Sequence, residues 1–184
     1  KRDGDICLVA PGSPRCWAIS SADTAPVLVS LGASVRLFSE RGERVLPVCE
    51  LFNDDGMQPY TKAADEILSE VILPPAAGWR SIYLKLRRRG SFDFPMLGVA
   101  VALRQSEDGI VEDARITLGA VASRPVETSA ATRLIGQHLT PPLLAEVAAL
   151  AAKPARPLDN ADLSMSYRKQ VTTTYVRRAL EQFA

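Results

Sequence analysis

The alternation of apolar and polar residues predicts a strand pair in the first third of the chain. Residues 34–39 alternate Val, Leu and Ser with Arg and Phe, and Arg-Gly-Glu at 41–43 separates this stretch from apolar residues at 45–48. A strand, a tight turn and a second strand account for this pattern. Residues 66–74 are apolar enough for another, partly buried strand. Cys49 lies between Val48 and Glu50 at the end of the second strand, and we interpret it as a packed core residue.

Turn-forming residues and one helix start separate these strands. Asp23 stands where a helix N-cap would stand, with a proline in the first turn and a glycine after the last, which predicts a short helix over residues 24–31. Residues 6–19 flank a Pro- and Gly-containing turn and are interpreted as an ordered loop or an irregular strand pair. Residues 51–62 contain Asn-Asp-Asp-Gly and a proline, which is typical of a loop.

The second part of the chain changes from strand-like to helix-like patterning. Pro-Pro-Ala-Ala-Gly at 74–78 indicates a boundary, so we expect two domains, 1–75 and 76–184. Apolar stretches predict a meander of three antiparallel strands, and helical spacing then predicts three helices: strands 82–86, 96–103 and 110–121, and helices 128–135, 141–152 and 164–183. Strands followed by helices indicate an α+β fold.

Composition places the chain among ordinary globular proteins. Of its 184 residues, 47% are hydrophobic and 23% charged, which excludes a disordered or coiled-coil chain. Twenty-two Lys and Arg against 21 Asp and Glu give a net charge of +1, so no overall attraction to nucleic acid is expected. The sequence predicts no membrane span. Three cysteines are too few for a disulfide framework, which favours a reducing compartment, with the cytoplasm as the default location.

Few residues in this chain have side chains suited to catalysis. The single histidine, His138, falls between two predicted helices and is interpreted as a loop residue rather than a zinc ligand or a catalytic base. Cys7 and Cys16 enclose a turn-rich loop that could bring both thiolates to one iron–sulfur cluster, although their spacing alone favours two buried thiols. Alternation along the basic segment 85–89 puts three cations on one side, where they could meet phosphate or a flavin or form a solvated face.

Four motifs follow one another along the chain in a specific order. They are Ser-Ser-Ala-Asp-Thr-Ala-Pro at 20–26, Asp-Glu-Ile-Leu-Ser-Glu-Val-Ile-Leu-Pro at 65–74, Tyr-Leu-Lys-Leu-Arg-Arg-Arg-Gly at 83–90 and Val-Glu-Asp-Ala-Arg-Ile-Thr-Leu-Gly at 111–119. Together they resemble the FAD-binding subunit of the xanthine dehydrogenase or molybdenum hydroxylase family. The resemblance implies the C-terminal part of an FAD-binding domain, followed by a C-terminal domain like that of the CO dehydrogenase flavoprotein.

Within that family, segments 7–16, 51–57 and 92–95 look most like the beta subunit of 4-hydroxybenzoyl-CoA reductase. That branch carries an additional 4Fe-4S cluster, and Cys7 and Cys16 match its last two cysteine ligands. The resemblance implies reductive removal of the phenolic hydroxyl of 4-hydroxybenzoyl-CoA. This chemistry would take place on a large partner subunit with the molybdopterin cofactor. A small partner subunit with 2Fe-2S clusters and an external electron carrier such as ferredoxin or NAD would complete the relay.

Three further positions match flavin-binding positions of the family. Asp23 matches the acidic residue that contacts the flavin nucleotide, Leu68 the leucine that packs beside the isoalloxazine, and Lys85 the lysine on the neighbouring strand. A positive charge at Lys85 would favour the anionic reduced flavin. The Gly-rich loops that hold the pyrophosphate in this family lie in an upstream subdomain that this sequence lacks, so we expect the chain to be the C-terminal portion of a longer subunit, completed by its upstream half.

Two alternatives remain open at this point. The same flavoprotein could serve an oxidative dehydrogenase acting on a purine, an aldehyde or an N-heterocycle. The chain could also be an assembly module without a cofactor, which the lack of the Gly-rich region favours and the presence of Asp23, Leu68 and Lys85 disfavours. Iron content separates the two flavoprotein hypotheses, because only the reductase requires iron beyond the two-iron clusters.

Overall fold

A computed structural model describes residues 6–7, 9–90, 92–159 and 163–184, which form two antiparallel sheets and a small number of helices. The helices are α1 Thr24–Ser30, α2 Pro141–Ala151 and α3 Met165–Leu180, with 3₁₀ helices at Val48–Leu51 and Ser129–Leu134. The strands are β1 Ser34–Ser39, β2 Gly42–Pro47, β3 Ile67–Ile72, β4 Trp79–Leu86, β5 Leu97–Gln105, β6 Val111–Gly119 and β7 Val126–Glu127. The predicted α+β fold is confirmed.

The first sheet has the order β2-β1-β3 and a small core on one face. Val35 and Leu37 of the central strand are buried there against α1 and the 3₁₀ helix Val48–Leu51. The predicted strand at 66–74 exists as β3, but its predicted partial burial is wrong: Ile67 is 68% exposed, because β3 is an edge strand. The interpretation of Cys49 as a packed strand residue is also wrong, because it lies exposed on the 3₁₀ helix.

The second sheet has the order β4-β5-β6-β7 and is covered on both faces. Alternate residues of its central strands, Val99, Val101 and Leu103 on β5 among them, share one large core with α2 and α3. The other face carries small residues: Gly98 lies opposite Gly119 in the register, and Pro26 of α1 lies against Gly119. Coverage on both faces explains why seven consecutive residues of β5 are buried.

Several predicted elements differ in detail from those of the structure. The predicted meander has a fourth, two-residue strand, β7, and the predicted helix at 128–135 is a 3₁₀ helix whose N-cap Thr128 accepts a hydrogen bond from the Ala130 N–H. His138 is exposed in a loop, as predicted, and its backbone forms an isolated bridge with Ile110. In the part of the chain that is described, none of the helices is long and apolar enough to cross a membrane.

Candidate functional site

The start of α1 and the middle of β4 meet in a hydrogen-bonded cluster of three side chains. Asp23 occupies the N-cap position of α1, but its carboxylate forms no capping hydrogen bond. Instead, Oδ1 accepts from the Tyr83 hydroxyl at 3.0 Å and Oδ2 accepts from Lys85 Nζ at 2.8 Å. Asp23 therefore occupies the predicted N-cap position, but its side chain does not cap the helix, because it turns to the cation on the neighbouring strand. Two positions predicted from the resemblance, Asp23 and Lys85, are brought into direct contact.

The alternation of β4 explains why Tyr83 and Lys85 reach the same carboxylate. Residues two apart on a strand point to one face, and in the antiparallel register Tyr83 lies opposite Ala100 and Lys85 opposite Gly98. Both partners are small, which leaves room for the ring of Tyr83 over β5. A Cβ atom on Gly98 would lie 2.7 Å from the Tyr83 hydroxyl oxygen, so the close approach requires glycine at this position.

The loop before β5 holds Lys85 from the other side. Lys85 Nζ donates a second hydrogen bond to the Asp93 carbonyl oxygen at 2.5 Å. The Asp93 carboxylate pairs with Arg89 at 3.3 Å and accepts from the Phe94 N–H, and these contacts lower the pKa of Asp93, the Arg89 hydrogen bond most strongly. The Ser21 hydroxyl donates to the Pro95 carbonyl at 2.8 Å, which ties the loop to the start of α1.

The hydrogen bonds of the cluster hold the Lys85 ammonium group at a partly buried position. The side chain of Lys85 is 19% exposed, whereas that of Asp23 is 46% exposed. Burial raises the pKa of Tyr83 well above its usual value, and the hydrogen bond to Asp23 adds to the increase. The hydroxyl therefore stays protonated and acts as a donor, so Tyr83 and Lys85 together hold the Asp23 carboxylate in one orientation.

Leu68 lies in an adjacent open cavity of about 360 Å³ rather than in the Asp23–Lys85 cluster. Leu68 and Val71 of β3 form one wall, and Ala22 and Thr24, which flank Asp23, contribute to another. Polar groups stand among the apolar lining residues: Ser20, Ser21, Tyr60 and Lys62. The loop residues Phe52, Tyr60 and Lys62 were not predicted as part of a site. Loop composition carries no such signal, whereas the bridge and ring contact between Phe52 and Tyr60 fold this loop onto the cavity.

Cys7 and Cys16 are both buried, and neither forms a disulfide. The Cys7 sulfur accepts from the Ala10 N–H at 3.3 Å, and hydrogen bonds from the backbone of Ala10, foremost, and then of Val9 and Trp17 lower the pKa of the Cys7 thiol. Because Trp17 directly follows Cys16, its contact with the Cys7 thiol brings the two ends of the loop close together. Among the described residues, no group of three or more His, Cys, Asp or Glu side chains could hold a metal ion, so the structure does not complete a ligand set around these thiols.

Two protein-family models together match almost the whole chain. The CO dehydrogenase flavoprotein C-terminal domain matches residues 81–183, and the FAD-binding domain in molybdopterin dehydrogenase matches residues 4–76. The chain is 30% identical over 129 residues to the aldehyde oxidoreductase FAD-binding subunit PaoB of Escherichia coli (strain K12), covering 68% of this chain and 39% of that protein. It is 29% identical over 123 residues to the nicotinate dehydrogenase FAD-subunit of Eubacterium barkeri, covering 65% and 42%.

Solved structures resemble most of this chain. A carbon monoxide dehydrogenase from Hydrogenophaga pseudoflava, which lacks the Mo-pyranopterin moiety of the molybdenum cofactor, superposes with a TM-score of 0.79 at 25% identity over 86% of this chain and 55% of that chain. The reconstituted CO dehydrogenase from Oligotropha carboxidovorans gives 0.78 at 28% identity over 86% and 55%. The chain thus spans about two fifths of these curated relatives and just over half of these solved chains.

Proposed function

Because this chain belongs to the family of the CO dehydrogenase flavoprotein C-terminal domain, we propose that it is part of the FAD-binding subunit of a molybdenum hydroxylase-family dehydrogenase. The observation that carries the proposal is the Lys85 ammonium group. It is held at 2.8 Å from Asp23 and 2.5 Å from the Asp93 carbonyl, next to the residues that frame an open, largely apolar cavity. When bound, FAD supplies the electron-transfer chemistry, and this chain supplies binding and electrostatics.

The residues present fit a flavin on chemical grounds. A planar aromatic ring with one polar edge needs apolar walls and a few polar groups, and the cavity offers Leu68 and Val71 as walls together with serine hydroxyls and the Lys62 ammonium group. Lys85 would place a fixed positive charge near the flavin ring. This charge would stabilise the reduced flavin, which carries more negative charge than the oxidised flavin. Asp23 would orient Lys85, and Tyr83 would orient Asp23.

The test is the substitution Lys85→Met in the complete enzyme complex. We expect less FAD per complex and a lower flavin reduction potential, because a favourable charge interaction of about 1 kcal/mol is lost. The absorbance of the FAD released when the complex is denatured measures the FAD content, and spectroelectrochemistry measures the potential. Lys169→Met, an exposed lysine on α3, is the matched control and should change neither. An unchanged FAD content and potential in Lys85→Met would remove Lys85 from the site, and a parent complex that retains activity without bound FAD would favour the cofactor-free assembly module.

The partners proposed for this subunit follow from the same family membership. We propose a large subunit with the molybdenum cofactor, a small subunit with 2Fe-2S clusters and an external electron carrier. The names of the two curated relatives, an aldehyde oxidoreductase subunit and a nicotinate dehydrogenase subunit, favour an oxidative reaction on an aldehyde or an N-heterocycle. The test is to measure which partner subunits co-purify and whether the complex oxidises such substrates.

One observation keeps the reductive alternative, the dehydroxylation of 4-hydroxybenzoyl-CoA, as a second candidate. Backbone N–H groups surround the Cys7 sulfur and lower the pKa of its thiol, and thiolates stabilised in this way are suited to bind iron. Cys7 and Cys16 would then be two ligands of a 4Fe-4S cluster, with the others supplied by residues outside this pair. Iron and acid-labile sulfide beyond the amount of the 2Fe-2S clusters, lost in Cys16→Ser, would support this candidate. Iron equal to the 2Fe-2S content would exclude it.

A further inference from the structure

A second cavity, of about 240 Å³, lies next to the flavin candidate site but is lined by different residues. Ile19 lines this cavity, and its neighbour Ser20 lines the cavity that contains Leu68. Its remaining walls come from both parts of the chain: the loop with Arg15 and Trp17, the segment after β6 with Arg124, and the segment after α2 with Arg156. Three arginines therefore line one small space.

Among the residues that the structure describes, a carboxylate neutralises only one of these three positive charges. Arg15 forms an ion pair with Asp54, which also lines the cavity, and stacks on the Trp17 ring at 3.7 Å. No ion pair or side-chain hydrogen bond to a carboxylate is found for Arg124 or Arg156 within the described ranges. The cavity thus has an excess of two positive charges, which attracts an anion.

The segments that carry the arginines are fixed by hydrogen bonds. The Ser123 hydroxyl donates to the Cys16 carbonyl at 3.2 Å, and the Ser20 N–H donates to the Ala122 carbonyl at 2.9 Å. The Arg156 N–H donates to the Val121 carbonyl at 2.8 Å, which joins the segment after α2 to the segment after β6. The backbone of Arg156 and the two residues that precede Arg124 are therefore held in place before any ligand binds, which reduces the ordering cost of binding.

We propose that this cavity binds the phosphoryl group of a small molecule, with Arg124 and Arg156 as its ligands. The guanidinium fork matches phosphate oxygens in a bidentate manner, and a dianion balances the two unpaired charges. The apolar side chains of Ile19 and Val126 line the same cavity and offer a surface for an organic group attached to the phosphate. This inference does not depend on flavin binding, because it involves neither Lys85 nor Leu68.

The experiment measures binding of inorganic phosphate and of AMP to the purified protein by isothermal titration calorimetry in buffer of physiological ionic strength. We expect saturable binding of at least one of them, and a loss of about tenfold in affinity for each of Arg124→Gln and Arg156→Gln, since a charge-assisted hydrogen bond contributes about that factor. Arg133→Gln, an exposed arginine outside the cavity, is the control and should bind as the parent does. Far-UV circular dichroism verifies that each variant is folded.

The two probes also distinguish the source of the phosphoryl group. Tighter binding of AMP than of inorganic phosphate supports a phosphate ester whose organic part contacts the apolar wall, whereas equal binding supports free phosphate as the ligand. The absence of saturable binding for both probes overturns the proposal. Binding that persists unchanged in both arginine variants overturns it as well, because the anion would then bind elsewhere on the protein.

Discussion

The two sheets of this protein differ in how completely their apolar faces are covered. In the sheet β4-β5-β6-β7, side chains such as Val99, Ile116 and Leu118 are fully buried, with helices on both sides. In the sheet β2-β1-β3, only the central strand is buried to that extent, whereas Val71 on the edge strand is 46% exposed. One sheet is therefore a closed, packed layer, and the other keeps apolar surface available for a ligand.

The sheet with the open edge relies more on paired charges. Arg36 pairs with Glu43 at 2.8 Å and with Glu70 at 2.9 Å, which links all three strands across the outer face. Ion pairs of this exposed kind contribute little stability each, whereas buried apolar side chains contribute about 2 kcal/mol or more. The packed sheet therefore provides most of the stability, and the open sheet provides the surface from which the candidate flavin site is built.

The largest expected effect comes from truncating one apolar side chain in each sheet and comparing the two losses of stability. Leu118→Ala removes a fully buried side chain from the packed sheet and should lower the free energy of unfolding by about 3 kcal/mol. Val71→Ala removes a half-exposed side chain of the edge strand and should cost less than about 1 kcal/mol. Urea unfolding followed by circular dichroism measures both. Equal losses would contradict the distinction between the two sheets.

A smaller effect is expected from Arg168, a buried cation of the packed region whose hydrogen bonds, among the described residues, go to carbonyl groups. Arg168 of α3 donates to the carbonyls of Leu158, Met96 and Ala120 at 2.7 to 2.9 Å, and burial lowers the pKa of its guanidinium group. Arg168→Met leaves these carbonyls without that donor and should cost about 2 kcal/mol in unfolding experiments. Arg168→Lys keeps the charge but lacks the branched guanidinium group, so its free energy of unfolding should lie between those of the parent and Arg168→Met. A methionine variant as stable as the parent would show that packing alone holds α3.

The regular elements were predictable from sequence because their hydrophobic periodicity is strong. The strand pair at 34–48, the meander after residue 78 and the final helix all occur, with ends shifted by a few residues. The burial of β3 was less predictable. Its sequence contains the same apolar residues whether or not another element covers the strand, so the sequence does not reveal that β3 is exposed. The helix predicted at 128–135 is a 3₁₀ helix, a difference that the periodicity of a segment this short does not reveal.

The candidate site could also be predicted only in part from the sequence. Asp23, Leu68 and Lys85 were identified by resemblance, and the residues alone supported Asp23 only as a helix cap. The contact between Asp23 and Lys85 depends on the register that places Lys85 opposite Gly98, which residue spacing does not reveal. Tyr83 was not predicted as a partner of Asp23, although its position two residues before Lys85 on the same strand is the signal that could have identified it.

The smallest expected effect tests the charge pairs that tie the open sheet together. Glu66, which directly precedes β3, accepts from Arg44 of β2 at 2.6 and 2.8 Å and from the Ala63 N–H at 2.6 Å. These contacts, the Arg44 hydrogen bonds most strongly, lower the pKa of Glu66 from 4.5 to about 2. A carboxylate whose pKa is lower in the folded state stabilises the fold above its unfolded pKa and loses that contribution as the pH falls.

The urea midpoint of the parent should therefore fall as the pH decreases from 4.5 to about 2, and Arg44→Gln should flatten this dependence. Glu70→Gln, which removes an exposed partner of Arg36 in the same sheet, is the matched control and should leave most of the dependence intact. If Arg44→Gln retained the full acid dependence, other carboxylates would govern it. The open sheet would then depend less on the link between β2 and the start of β3 than the bidentate geometry indicates.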